Sequence, residues 1–386
     1  MDKKNKNPNV PNLRFPYKGD WYKRKLNEIC LFFKGNGLSK SDLSNEGFPC
    51  ILYGELYTKY KNEVISDIVS KTTTTLSNPF LSKNNDLIIP GSGEDPIDIA
   101  VARAIYQNDI ILGGDLNVLR PKSNVSAAFL SYQLNGVRRY DIAKKAQGKS
   151  IVHLHNSDLK EICVSIPTYD EQLHIVKLLT KIDEMIETQI KIIDTLLSEM
   201  NSIRSLIFNK SSLKWIPLKD IVAEQDIKLK RGKVIPKHKK NLKYIYPVYS
   251  SSITNSGLMG YSDSYMFNQE LITWSIDGGG NFFYRKKHKF NITNVSGYMI
   301  LNENLFNYQF IVQSLIWQHE KLKFDYQTKA HPSVVESLYK IPIMDLEEQH
   351  KYACLFSNLN EKYELELHIL DLLNMQKKYL LKNMFV

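Results

Sequence analysis

The sequence repeats itself over a long interval, and this repeat constrains the fold more than any other feature. Glu171-Gln172 opens a long helical pattern, and Glu348-Gln349 opens another one 177 residues later. The same interval separates Phe208 from Phe385 near the ends of the two patterns. A repeat this long predicts two similar halves, each made of a globular region followed by one long helix.

Both predicted helices carry apolar residues at alternating steps of four and three, which is the heptad pattern of a coiled coil. The predicted seam consists of Leu179, Ile182, Ile186, Ile193, Leu196, Met200, Ile203, Phe356, Leu359, Tyr363, Leu370, Leu373 and Leu380. Gln189 and Glu366 interrupt the two seams at the same level, and Lys377 interrupts the second seam again. The first two either set the alignment of the helices, as polar seam residues do, or are solvated where the seam frays.

The size and composition of the chain are those of a globular protein. Its 386 residues suffice for two or three domains, and 43% of them are hydrophobic. The cysteines are too scattered for a disulfide framework or a zinc site, and no metal site is predicted. Residues 1–6 are charged, and no apolar run reaches membrane-spanning length, so we expect a cytoplasmic protein without membrane contact.

The two globular regions show the same order of predicted elements, although they share few residues. In the first region, strand patterns at 86–89 and 116–119 precede a helical pattern at 129–134. In the second, a strand pattern at 298–301 precedes a helical pattern at 310–315. The sequence therefore predicts an α+β fold in which one mixed scaffold presents two different surfaces.

A formal net charge of +10 predicts a polyanionic partner, and the placement of the charges strengthens that prediction. Basic residues cluster at 228–243 and at 285–289, with tyrosines and asparagines nearby, and they are sparser in the first globular region. This mixture suits contacts to DNA phosphates combined with reading of base edges. For any single cluster, the alternative is a lysine-rich solvated loop.

The sequence contains no recognisable catalytic set. Residues 148–150 resemble the end of a phosphate-binding loop, but Ala143 stands where that loop needs glycine, so a basic turn that touches nucleic acid is favoured. The carboxylates at 94–98 lack a lysine at the strand spacing that a metal-dependent nuclease would use. His153 and His155 would share one face of a strand, where packing or phosphate contact is favoured over metal binding.

One stretch of the chain resembles a known family. It runs from Gly114-Asp115-Leu116 through Gln147-Gly148-Lys149-Ser150 to Ile166-Pro167 and Glu171-Gln172. This stretch is similar to the junction between a target-recognition domain and a long helix in the specificity subunit of type I restriction-modification enzymes. The order of regions extends the resemblance over essentially the whole chain. The second junction is looser, because two extra residues separate its proline from its glutamine, and this leaves the start of the second helix uncertain.

The resemblance implies a domain layout and a role for each part. Target-recognition domains would cover residues 1–165 and 212–342, and spacer helices would cover 166–211 and 343–386. In the family, each recognition domain reads one half of a split DNA sequence, and the helices pair antiparallel and set the unread gap. A helix over residues 170–208 would be roughly 58 Å long at about 1.5 Å per residue, which exceeds one duplex turn of about 34 Å.

The resemblance also implies partners and places the chemistry outside this chain. Two modification subunits would methylate adenine with S-adenosylmethionine, and restriction subunits would cleave DNA with ATP and Mg²⁺. This chain would bind double-stranded DNA, without a cofactor of its own and without catalysis. Two other functions stay open, a stand-alone DNA nuclease and a coiled-coil adaptor that does not read DNA.

The predicted DNA contacts are basic residues for phosphate or guanine and polar residues for base edges or sugar. In the first recognition domain they are Lys34, Tyr57, Lys144, Lys145 and Lys149. In the second they are Arg231, Lys233, Ser251, Ser252, Asn255, Tyr284, Arg285, Lys286, Lys329 and His331.

Overall fold

The computed structural model of the chain describes residues 9–252, 254–277, 279–322 and 329–386, so the charged start at 1–6 lies outside the described residues. The chain divides into two compact units. The first unit consists of Met1–Ile190 and Ile369–Val386, and the second consists of Lys191–His368. Each unit therefore contains one globular region together with parts of both long helices.

Short helices and strands build the globular regions, and two helices are far longer than the rest. The helices are α1 (Leu26–Ile29), α2 (Glu55–Thr58), α3 (Pro96–Ile99), α4 (Ala127–Asn135), α5 (Arg139–Ala143), α6 (Asn156–Lys160), α7 (Tyr169–Phe208), α8 (Leu218–Ala223), α9 (Tyr308–Lys321), α10 (Pro332–Leu338) and α11 (Leu346–Asn383). The long helices α7 and α11 lie inside the ranges predicted for the spacer helices.

The strands of the first unit are β1 (Tyr22–Lys25), β2 (Cys30–Lys34), β3 (Leu43–Ser44), β4 (Phe48–Ile51), β5 (Val64–Ile65), β6 (Ser70–Thr72), β7 (Asp86–Pro90), β8 (Ser92–Gly93), β9 (Arg103–Ile105), β10 (Ile111–Leu112), β11 (Leu116–Pro121), β12 (Gln147–Gly148), β13 (Val152–His153) and β14 (Cys163–Ile166). Those of the second unit are β15 (Lys214–Pro217), β16 (Ile227–Arg231), β17 (Tyr246–Tyr249), β18 (Leu258–Ser262), β19 (Phe267–Ser275), β20 (Phe282–Ile292), β21 (Ser296–Leu301) and β22 (Lys340–Ile343).

The central sheets of the two units share one topology. The first unit has a five-stranded sheet in the order β2-β11-β7-β9-β5, and five strands of the second unit follow the order β16-β21-β19-β20-β17. In both sheets the final pair is parallel and the other pairs are antiparallel. The prediction of a mixed α/β scaffold used twice is confirmed.

The strands added around this shared sheet differ. In the second unit, β18 extends the sheet beyond β17 to a sixth strand. In the first unit, β10-β4-β6-β3 and β12-β13-β8 form two further sheets. Because added strands and their connections form the surface around a buried sheet, the two units expose different surfaces on a common core.

One helix packs on each central sheet, and both helices were predicted from the sequence. Helix α4 contacts β7 and β9, and α9 contacts β19 and β20. The Ser126 side chain caps α4 by accepting a hydrogen bond from the Phe129 N–H. The Asn307 side chain caps α9 by accepting from Gln309 and Phe310. The helical patterns at 129–134 and 310–315 are therefore confirmed.

A buried glutamine connects the first globular region to the start of α7. The Oε1 atom of Gln172 accepts a hydrogen bond from the Ser126 N–H at 2.9 Å. Its Nε2 atom donates to the carbonyl oxygens of Asn124 and Pro167, each at 3.1 Å. Because Ser126 caps α4, this one side chain fixes the start of α4 against the start of α7.

Gln349 makes the same set of contacts at the start of α11. Its Oε1 atom accepts from the Asn307 N–H at 2.9 Å, and its Nε2 atom donates to the carbonyls of Leu305 and Met344. Helix α11 begins 177 residues after α7 begins. The two extra residues of the second junction therefore lie before the helix. As a result, Met344 and not Pro342 takes the position that Pro167 has in the first junction.

The ends of the long helices belong to the cores of the globular regions. In the first unit, the Phe385 ring lies 6.3 Å from the Trp21 ring and 5.3 Å from the Phe129 ring. The second unit repeats this aromatic group with Phe208, Trp215 and Phe310. Within the first unit the start of α7 and the end of α11 share one core, and within the second the end of α7 and the start of α11 do so. The helices therefore run antiparallel, as the resemblance implied.

The predicted seam positions are all buried or half-buried. Leu179, Ile182, Ile193, Leu196, Met200, Phe356, Leu373 and Leu380 are buried. Ile186, Ile203, Leu359, Tyr363 and Leu370 are half-buried. Gln189 is buried and Glu366 is half-buried, so neither of these polar residues is fully solvated.

Lys377, which interrupts the second seam, is held in a buried ionic cluster of the first unit. Its Nζ atom lies 2.6 Å from a carboxylate oxygen of Glu63 and 2.6 Å from one of Asp183. The Tyr132 hydroxyl donates to the other Asp183 oxygen at 2.7 Å. Burial lowers the pKa of Lys377, but the two carboxylates outweigh burial and raise it. Burial and the Glu63 charge raise the pKa of Asp183.

The cysteines are free, and in the described part of the chain no helix combines the length and the apolar character of a membrane span. Burial raises the pKa of the Cys30 thiol to about 12 and that of Cys50 to about 11. Both thiols therefore stay protonated at neutral pH and pack as small apolar groups.

Candidate nucleic-acid interface

The basic run at 285–289 lies on strand β20 of the second unit, where it contains a β-bulge. Gln269 pairs with His288 and Leu271 with Arg285, so a single residue of β19 faces both Lys286 and Lys287. A bulge of this kind turns side chains away from the regular alternation of a strand. Both lysines are exposed as a result.

Arg285, directly before the bulge, is 5% exposed. Its guanidinium carbon lies 3.9 Å from the centre of the Tyr249 ring and 5.0 Å from that of Phe283. Its Nε donates to Thr273 Oγ1 at 3.0 Å. Burial lowers the pKa of Arg285 to about 10, so the side chain stays charged at neutral pH.

The neighbours of Arg285 on β20 have partners within the second unit. The Tyr284 hydroxyl donates to Glu270 at 2.9 Å, and burial followed by this bond raises the pKa of Tyr284. Lys286 forms an ion pair of 3.0 Å with Glu361, and both side chains are about two-thirds exposed. Because an exposed ion pair is weak, Lys286 can exchange Glu361 for a phosphate at little cost.

Two other basic candidates of the second unit also have internal partners. Arg231, at the end of β16, donates from Nη2 to the Asn294 carbonyl at 2.8 Å. Lys329 lies 3.3 Å from an Asp277 carboxylate oxygen. Both side chains lie at the surface, where such contacts are weak and can be exchanged.

The other predicted residues of the second unit lie at its surface or just beneath it. Exposed residues are Lys233, Ser252 and Asn255, and half-buried residues are Ser251 and His331. The Ser251 carbonyl accepts a hydrogen bond from Ser275 Oγ at 2.9 Å, which attaches the connection after β17 to the end of β19. Asn255 has a φ of 49°, in the left-handed region that asparagine tolerates better than most residues.

The structure places three predicted residues of the first unit around the small sheet β12-β13-β8. Lys149 is exposed in the turn between β12 and β13. The half-buried Tyr57 lies beside β8, since a Cβ atom at Gly93 would be 3.4 Å from its hydroxyl. Lys34 follows Phe33, whose carbonyl accepts from Asn156 at the start of α6, the helix after β13.

Lys144 and Lys145 are exposed directly after α5. The positive charge of Lys145 contributes to the lowered pKa of Glu161, after the larger effects of the ion pair with Lys25. The ion pair between Lys25 and Glu161 is 2.6 Å long. Lys145 therefore lies near a carboxylate.

The predicted DNA contacts leave out a group of stacked aromatic and basic side chains beside β17 and β18, although its basic members lie in the clusters at 228–243 and 285–289. The rings of His238 and Tyr244 stack with centroids 3.9 Å apart, and Lys243 lies over the same tyrosine at 5.3 Å. Lys289 lies over the Tyr265 ring at 4.9 Å. The interleaving of lysine and tyrosine at 237–246 is the sequence signal for this group.

The acidic and histidine residues considered for catalysis make local contacts. Asp95 caps α3 by accepting from the N–H groups of Ile97 and Asp98. The exposed rings of His153 and His155 stack with an interplanar angle of 3°. Over the ranges that the structure covers, no three histidine, cysteine or carboxylate side chains group as metal ligands would.

Comparison with known families gives a match in each half of the chain. The model described as the type I restriction modification DNA specificity domain matches residues 18–197 and again residues 214–375. The chain therefore belongs to the type I restriction-modification DNA specificity family. The two matches coincide with the two halves of the internal repeat.

Relatives in Mycoplasma pneumoniae carry names of type I specificity subunits. The protein named S.MpnORF285P is 33% identical over 132 residues, which are 31% of this chain and 41% of the relative. The protein named S.MpnORF507P is 28% identical over 170 residues, 43% of this chain and 45% of the relative. The chain thus aligns with less than half the length of each of these relatives.

Two solved structures share the fold along nearly the whole chain. The type I restriction-modification S subunit from M. genitalium matches with a TM-score of 0.69 and 20% identity over 98% of this chain and 99% of that chain. A chain from a type I restriction-modification system, studied for complex assembly and conformational transition, matches with a TM-score of 0.55 and 12% identity. It covers 95% of this chain and 98% of its own length. At these identities the likeness establishes the fold.

Proposed function

We propose that this chain is the DNA-recognition subunit of a type I restriction-modification complex, in which each globular region reads one half of a bipartite DNA target. The observation that carries the proposal is the double match of the DNA specificity domain, once in each half of the repeat. A common sheet with different added strands supports it, because two readers of one scaffold need different surfaces for different half-sites.

The long helices would serve as the spacer between the two half-sites and as the docking surface for the enzymatic subunits. The proposed partners are two modification subunits, which methylate adenine with S-adenosylmethionine, and restriction subunits, which use ATP and Mg²⁺ to cleave DNA. The chain itself would bind double-stranded DNA in the cytoplasm, hold no cofactor and catalyse no reaction.

The proposed function is tested by assembling the full chain with a modification subunit and S-adenosylmethionine. Methylated adenines are then mapped across a genome by single-molecule sequencing. We expect a split motif, with two short defined blocks around a gap of fixed length. A formed complex that methylates no DNA, or that follows one short continuous motif, would contradict the proposal.

The adaptor alternative is separated from DNA recognition by salt dependence. A protein that neutralises phosphates loses affinity for duplex DNA steeply as salt rises, because bound counterions are released. The complex should show this dependence with duplex DNA. Absence of salt-dependent affinity would favour the adaptor.

A further inference from the structure

The buried arginines of this chain differ in how their hydrogen-bond donors are used. Arg103 lies on β9, the strand that corresponds to β20, and donates to the carbonyls of Leu56 and Tyr60. It is 6% exposed. Its Nε and one of its two terminal nitrogens are thus used within the protein, as expected of a structural arginine.

Arg204 is a second example from the same unit as Arg285. It is 7% exposed, its Nε donates to Gln313 at 2.8 Å, and its Nη1 donates to Asn201. Its Nη1 also lies 3.5 Å from a Glu320 carboxylate oxygen. Arg204 therefore has both hydrogen-bond acceptors and a carboxylate partner for its charge within the protein.

Arg285 is as deeply buried as these two residues, yet within the described ranges only its Nε has a hydrogen-bond acceptor, Thr273. No carboxylate of these ranges pairs with its charge. A guanidinium carries five N–H donors. Among the described residues the donors on Nη1 and Nη2 have no protein acceptor, and neither atom is fully buried, so both can be reached by an external ligand.

The surroundings hold the guanidinium in one orientation while leaving the donors on Nη1 and Nη2 unused. The Tyr249 ring covers one face at 3.9 Å, and the Nε bond to Thr273 fixes rotation about the end of the side chain. A Cβ atom at Gly257 would lie 3.3 Å from Nη2, so the connection that carries Ser251 and Asn255 passes close to the unused donors. An arginine immobilised in this way has already lost the freedom that it would otherwise lose on binding a ligand.

We propose that Arg285 is a preorganised two-pronged donor that binds a pair of acceptor atoms of the DNA in the half-site of the second unit. This inference rests on the proposed function. Two sources present such a pair at the spacing of the guanidinium fork, the O6 and N7 atoms of guanine and two oxygens of one phosphate. Bound DNA then supplies the hydrogen-bond acceptors for Nη1 and Nη2 of Arg285.

The test uses the full chain assembled with modification subunits, as wild type and with Arg285→Met, Arg285→Lys and Lys219→Ala. Lys219 is the control, because it is an exposed positive charge of the same unit that lies on α8, outside the basic runs at 228–243 and 285–289, and its loss should leave the affinity unchanged. The measurements are thermal unfolding of the chain, affinity for duplexes that contain the wild-type motif at several salt concentrations, and the methylated motif.

Arg285→Met should unfold near the wild-type temperature, because an apolar side chain replaces a largely buried charge and leaves no carboxylate of the described residues without its partner. Its affinity for the wild-type motif should fall by about tenfold or more, the usual effect of losing a two-pronged contact. A fall in unfolding temperature with unchanged affinity would show that Arg285 only supports the fold, and would overturn the inference.

The motif distinguishes the two sources of acceptors. If Arg285 reads guanine, one position of the second block becomes degenerate in both the Met and Lys variants, while the first block is unchanged. If Arg285 holds a phosphate, both blocks are retained, the salt dependence of binding falls by about one phosphate contact, and Lys restores much of the affinity. A wild-type complex without a split motif would contradict the proposed function. A wild-type split motif, together with unchanged binding by Arg285→Met, would contradict the role of Arg285 alone.

Discussion

The two compact units have the same core architecture but build it from different residues. Each one places a helix on a five-stranded sheet of common topology and closes its core with the start of one long helix and the end of the other. Gln172 and Gln349 make equivalent hydrogen bonds at the helix starts. The parts that connect region to helix are thus shared, and the parts that surround the sheet are not.

The units differ in how they bind the end of a long helix. The first unit accepts the end of α11 with the ionic cluster of Lys377, Glu63 and Asp183. In the second unit, the residue 177 positions before Lys377 is Met200, which is buried in the seam. One helix end therefore carries a charge that requires two buried carboxylates, and the other carries an apolar side chain. The core of the first unit therefore favours the end of α11 over the end of α7, because Met200 has no charge to pair with the carboxylates of the first unit.

The largest expected effect tests whether Phe208 and Phe385, at the ends of the two long helices, contribute equally to the cores of their own units. Phe385→Ala and Phe208→Ala should each destabilise their own unit by about 3–5 kcal/mol, since both rings are buried among aromatic residues. Hydrogen exchange should increase in α4 for Phe385→Ala and in α9 for Phe208→Ala.

Two exposed residues near the same helix ends supply the controls. Tyr379 is 59% exposed and Leu206 is 72% exposed, so their replacement by alanine should leave exchange in α4 and α9 almost unchanged. Equal loosening of α4 and α9 by either phenylalanine variant would show that the cores are not separate.

The next effect tests the difference between Lys377 in the first unit and Met200 in the second. Lys377→Met gives the first unit the residue that the second unit has, but it leaves Glu63 and Asp183 buried without a cation. The expected loss is about 3 kcal/mol at neutral pH, because removing one partner strands the other charges. Lys378→Met removes an exposed lysine from the next position and should have little effect.

The pH dependence of this loss follows from the carboxylates. The pKa of Asp183 is already raised by burial and by Glu63, and loss of the lysine removes an influence that lowers it. The folded variant then binds protons that the unfolded chain releases, so its stability falls as pH rises above the ordinary carboxyl pKa of about 4. Denaturation at pH 4 to 8 should therefore show the smallest difference from wild type at pH 4. A difference that is constant with pH would mean that lost packing, and not stranded charge, destabilises the variant.

The sequence predicted the features that depend on nearby residues. Helices α4 and α9 and the strand patterns that became β7, β11 and β21 each rest on a local pattern of apolar residues. The partners of Lys377 could not be found in this way, because Glu63 is 314 residues earlier in the chain. Its position in a heptad seam showed only an interruption of the apolar pattern.

The candidate site was predicted less completely than the fold. The run at 285–289 was recognised as basic, but its place on β20 was hidden because the bulge at Lys286 and Lys287 breaks the alternation of a strand. For the same reason, Arg285 was grouped with exposed lysines although it is buried. Charge along a sequence indicates an interface, whereas burial of each charged side chain depends on strand register.

The smallest expected effect compares the DNA contacts of the two units. Lys149 lies exposed in a turn of the first unit, in contrast to the buried Arg285 of the second unit, and we predict that it contacts a phosphate. Lys149→Ala should weaken binding to all duplexes alike and reduce the slope of log affinity against log salt by about 0.9, the value for one phosphate. The methylated motif should not change, because a phosphate contact carries no base information. Lys83→Ala, an equal change of charge at an exposed position before β7, is the control, and an unchanged slope for Lys149→Ala would remove Lys149 from the interface.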